Sequence, residues 1–61
     1  MKDLIDEYRQ QIRLLEVIEE SDRLKLARTK QTMERERLRR KIQTTEQQIF
    51  DLALAVNMME E

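Results

Sequence analysis

The sequence predicts an all-α fold: a single antiparallel two-helix hairpin that dimerises into a four-helix bundle. Three observations carry that expectation. The chain contains no Gly and no Pro, the residues that most readily break a helix. Its apolar residues form two separate stripes at helical spacing, each on a seven-residue repeat. The two stripes differ in phase by two positions, so one straight seam does not join them. A turn that resets the phase accounts for the slip. The competing architecture is one long continuous coiled-coil helix that absorbs the slip as a local discontinuity.

The first helix spans about residues 3–28. Its stripe is Ile5, Tyr8, Ile12 and Leu15, widened by Leu4 and Ile18; Glu19 and Asp22 occupy the next stripe positions and Leu26 resumes it. Asp3, Asp6 and Glu7 stand in its first turns, where carboxylates suit the positive end of the helix dipole. The turn falls at about 29–33, a stretch with no strong apolar pattern, where Thr29 or Thr32 is placed to cap the second helix. A rival turn at Glu20-Ser21-Asp22 would give one short helix and one long one. The second helix spans about 34–59, with Leu38, Ile42, Thr45, Ile49, Leu52, Val56 and Met59 on its stripe.

In an antiparallel pair, facing residues have a constant sum of positions. A sum of 64 sets Ile5 against Met59, Tyr8 against Val56, Ile12 against Leu52, Leu15 against Ile49 and Leu26 against Leu38. The same alignment leaves a weak stretch at Glu19, Asp22 and Thr45. A heptad shift would also match the phases.

The run from Ile49 to Met59 is interrupted by polar side chains only at Asp51 and Asn57. Phe50, Leu54 and Met58 lie off the seam stripe, and a helix apolar on more than one face needs more than one neighbour. These three residues are the candidate oligomer- or partner-facing surface. A chain of 61 residues with no Cys is too small to rely on its own core, and oligomerisation is the usual remedy once disulfides and metals are set aside. A homodimer is the expected assembly.

Several function classes lose support from composition. Without Cys or His there is no nucleophile–base pair and neither of the strongest metal ligands. A bundle di-metal site would need a Glu-x-x-His motif. No enzyme activity, metal or other cofactor is expected. The run 49–59 is about half a membrane span and carries an Asp, so no membrane association is expected. Absence of Cys fits a cytoplasmic setting.

Charge is segregated although the net is −1. Residues 1–22 carry seven acidic and three basic groups, 23–41 two acidic and nine basic, and 42–61 four acidic and none basic. In a hairpin both acidic arms meet at the open end and the basic stretch wraps the turn. Arg35, Arg37, Arg39, Arg40 and Lys41 form a basic patch that would steer an acidic partner. The same patch supports an alternative, nucleic-acid binding through phosphate contacts. A basic segment followed by an apolar stripe is similar in order to a basic leucine zipper, but that family's Asn and paired Ala positions are missing here.

The opening Met1-Lys2-Asp3-Leu4-Ile5-Asp6-Glu7-Tyr8-Arg9 resembles the start of the ArpU-like transcriptional regulators from phages of Gram-positive bacteria. The closing stretch from Ile49 to Glu60 resembles a later helix of the same N-terminal region. Together they cover about a third of the chain and include no catalytic or base-reading residue. The resemblance implies a phage or prophage regulatory setting. The expected function is therefore non-enzymatic protein–protein interaction, with a structural coiled coil as a further alternative.

Overall fold

Two helices account for nearly all of the chain: α1, Leu4–Arg28, and α2, Thr32–Glu60. They pack antiparallel in a computed structural model as a rod with extents of 46 × 17 × 11 Å. The structure describes residues 3–60, so Met1 and Lys2, which open the family-like segment, and Glu61 lie outside it. There is no strand among the described residues.

Asp3 takes the N-cap place of α1 in extended backbone. Its carbonyl accepts the N–H groups of Asp6 and Glu7 at 3.0 and 3.3 Å. Asp6 and Glu7 occupy the first turn and Lys25 and Arg28 the last, matching the sign of the helix dipole at both ends. Residues 20–22 run through in helix, so the rival early turn does not form.

The reversal is made by only Thr29, Lys30 and Gln31, and α2 starts earlier than its apolar stripe suggests. No described residue has positive φ, so the turn needs no glycine. Thr29 adopts φ −84° and ψ 132°. Its backbone N–H and its hydroxyl both donate to the Lys25 carbonyl, at 2.9 and 2.7 Å. Thr29 thus closes α1 rather than capping α2. Gln31 serves the second helix through its backbone: its carbonyl accepts the Arg35 N–H at 2.9 Å. Arg35 completes the turn. Its guanidinium Nη1 donates to the carbonyls of Leu26 and Thr29, both at 2.9 Å, and so satisfies groups left over where α1 ends.

The side chains shielded along α1 are Ile5, Tyr8, Ile12, Leu15, Glu19, Asp22, Leu26 and Thr29; along α2 the matching series is Arg35, Leu38, Ile42, Thr45, Ile49, Leu52 and Val56. Each series advances by alternating threes and fours, the spacing of a two-helix seam. Leu38, Ile42 and Val56 are its buried apolar members. Met59 has seam spacing but remains 38% exposed, in the last turn of α2.

The cross-helix ion pairs bracket the expected register of 64. Lys41 Nζ lies 3.5 Å from Asp22 Oδ2, a pair summing to 63. The Arg9–Glu60 and Arg23–Glu46 pairs both sum to 69. A heptad slide would displace Asp22 from Lys41 by about 10 Å along the axis.

Candidate functional site

A two-helix rod has four long surfaces: the two flanks of the seam and the outward backs of the helices. One flank carries Arg9, Glu16 and Arg23 from α1 and Glu46, Ala53 and Glu60 from α2. It is laced shut by ion pairs. Arg9 pairs with Glu60, and Arg23 pairs with both Glu46, at 3.1 Å, and Glu19, at 3.0 Å. The opposite flank has no such lacing along its middle. There a shallow groove is lined by Gln11, Leu14 and Leu15 from α1 and Gln48 and Leu52 from α2. Leu14 is 65% exposed and Ile18, one turn on, 42%.

Phe50, Leu54 and Met58 advance by four residues each, so they follow one slightly sloping line down the back of α2. They are 61%, 48% and 68% exposed. Phe50 edges the laced flank, where it borders a hollow with Glu16, Glu46 and Ala53; Met58 leans toward the open flank. The same face carries Asp51, which accepts a hydrogen bond from Gln47 at 3.0 Å.

The five basic residues grouped by sequence are not gathered on one face. Arg35 is half-buried and committed to the turn carbonyls. Arg37 donates to Glu34 at 2.7 Å and Arg40 to Glu36 at 3.0 Å. The hydrogen bond from Arg37 to the Glu34 carboxylate, and then that group's charge, hold the guanidinium above its ordinary pKa. Lys41 faces Asp22. Of the four solvent-facing members, only Arg39 has no ion pair among the described residues. Consecutive helix residues point in different directions, and three of the four solvent-facing charges are partnered. No continuous phosphate-binding track results.

Asp22 is the most enclosed side chain described, at 2% exposure. Its Oδ2 has no hydrogen-bond partner; Lys41 is its electrostatic neighbour. Thr45, also buried, satisfies its own hydroxyl by donating to the Lys41 carbonyl at 2.9 Å. Among the described residues no group of three or more acidic side chains is arranged to hold a metal ion. No described helix is long and apolar enough to cross a membrane.

Apolar residues on α1 that the stripe reading left aside also reach solvent: Leu14, Val17 and Leu24. Their signal was present in the sequence as apolar residues beside the stripe, as in the Leu14-Leu15 doublet. The fold and its surfaces define a class, the antiparallel two-helix coiled-coil hairpin with apolar residues left on its outer faces. No family model, curated protein or solved structure matches the chain.

Proposed function

We propose that this hairpin is a non-enzymatic protein–protein interaction module, and that its partner presents an amphipathic helix to the back of α2. The observation that carries this reading is the line Phe50, Leu54 and Met58, which stays open to solvent after the hairpin has closed. Helix-in-groove and helix-on-helix recognition is read through anchors spaced in this way. The anchors sit in a segment, 42–61, with acidic residues and no basic one. The fitting partner helix therefore carries Lys or Arg beside its apolar stripe. The basic segment plays a smaller part than its sequence suggests, because its charges are largely paired within the chain. The same pairing disfavours nucleic acid as the ligand. The resemblance of both terminal segments to ArpU-like regulators fits a host or phage protein as partner in the cytoplasm.

The test is selection of helical peptides from a displayed amphipathic library on the immobilised full chain, with Leu54→Asp as the counter-target. Enrichment of apolar helices with basic flanks that fail to bind Leu54→Asp is expected. Equal recovery on both proteins, or enrichment of acidic helices, would overturn the reading.

A further inference from the structure

We infer that the open flank of the hairpin, the side away from the Arg9–Glu60 and Arg23–Glu46 pairs, is a self-association surface that receives a second copy of this chain antiparallel to the first. This builds on the reading of the protein as an interaction module and names one partner and its orientation, on a surface separate from Phe50 and Leu54.

The charge order along that flank is the main argument. From the open end to the turn, α1 presents Glu7, then Leu14 and Ile18, then Lys25 and Arg28. Among the described residues, Glu7, Lys25 and Arg28 have no ion-pair partner within the chain. Glu7 and Arg28 are separated by roughly 30 Å along the helix, and the point midway between them falls beside Ile18, about 5 Å along the axis from Leu14. A two-fold axis there sets Glu7 of each copy against Arg28 of the other, brings the two Ile18 side chains together, and places each Leu14 opposite Ser21 and within a turn of Ile18 of the other copy. A parallel arrangement would oppose like charges at both ends. The laced flank offers no such pattern, because Arg9, Arg23, Glu46 and Glu60 already satisfy one another.

Area points the same way. The isolated chain exposes 5295 Å², whereas a folded monomer of 7.5 kDa is expected to expose about 4,200 Å². The broad face of the rod, 46 by 17 Å, has a footprint of about 780 Å², close to the ~800 Å² per partner of a standard interface. Two hairpins joined through that face form a four-helix bundle.

The test is sedimentation equilibrium of the full chain and four variants, each first checked for helical circular dichroism. The wild type is expected at twice 7.5 kDa at micromolar concentration. Leu14→Glu, at an exposed position that leaves the seam intact, is expected to be a folded monomer, while Phe50→Glu remains dimeric. Glu7→Lys and Arg28→Glu are each expected to weaken self-association about tenfold by setting like charges together at both ends of the interface. An equimolar mixture of the two should recover wild-type affinity, because the mixed dimer restores opposite charges at both contacts. A wild-type monomer at ~100 µM, a Leu14→Glu dimer, a Phe50→Glu monomer, or a mixture no tighter than its components would each overturn the inference. Selection of partner helices on Leu54→Asp reads the other face, so either proposal can fail alone.

Discussion

Replacing Asp22 by Leu is expected to stabilise the hairpin, although it removes an ion pair. Asp22 is 2% exposed, and taking a carboxylate out of water costs several kcal/mol even after relaxation. The compensation is meagre: Oδ2 accepts no hydrogen bond. Lys41 Nζ stands 3.5 Å away on a side chain that is 58% exposed, so water screens the attraction. Buried ion pairs exchanged for apolar side chains are typically neutral to about 4 kcal/mol more stable. At a seam position enclosed this fully, a gain of about 1–3 kcal/mol is expected for Asp22→Leu. At ~4–8 °C per kcal/mol in a chain of this size, the melting temperature should rise by roughly 5–20 °C. The assay is thermal and urea denaturation followed by circular dichroism, at one fixed protein concentration because association is linked to folding. Lys41→Met alone should destabilise by about 1–3 kcal/mol, since it strands the carboxylate, and should change little once Asp22 is Leu. An Asp22→Leu protein less stable than wild type by more than about 1 kcal/mol would refute this reasoning, because the carboxylate would then contribute more than its desolvation costs.

Arg35→Met should destabilise by about 1–3 kcal/mol, and Arg35→Lys should not restore the loss, because a single ammonium does not bridge the Leu26 and Thr29 carbonyls as a planar guanidinium does. Chemical denaturation of both variants checks it, and full rescue by lysine would contradict the staple. Ile42→Ala should cost about 2–4 kcal/mol and Val17→Ala under about 0.5 kcal/mol, as their burial dictates; similar losses in the two variants would show that the seam is misplaced. Arg9→Ala and Glu46→Ala should each change stability by no more than about 1 kcal/mol, with the difference vanishing in ~1 M salt. A larger, salt-insensitive loss in denaturation would mean that these surface pairs support the fold far more than exposed pairs do.

Much of the fold is legible in the residue spacing. The alternation of threes and fours from Ile5 to Leu26 and from Leu38 to Val56 gives both helices and their facing sides, because packing of an amphipathic stripe is what sustains such helices. The two-residue phase slip gives the reversal: two residues turn a helix by about 200°, which would put the stripes of an unbroken rod on opposite sides. The turn was less legible. Its closure depends on a side chain six residues beyond Thr29, and Arg35 reads as one more base in a basic run unless its place three residues before Leu38 is noticed. The candidate surface was legible in part. The exposure of Phe50, Leu54 and Met58 follows from their being off the stripe. Which flank is laced by ion pairs does not, because Arg9 meets Glu60, and Arg23 meets Glu46, only once the register of the two arms is set.

The central claim is that the chain reverses at 29–31 and returns along itself. The distance between spin labels on Asp6→Cys and Asn57→Cys, both at exposed positions near the open end, tests it most directly. Labelled protein is diluted into an excess of unlabelled chain, so that only distances within one molecule are read. A hairpin sets the labels under about 25 Å apart, the helix spacing plus the reach of the labels; a separation near 77 Å, the length of helix between the two positions, would contradict it.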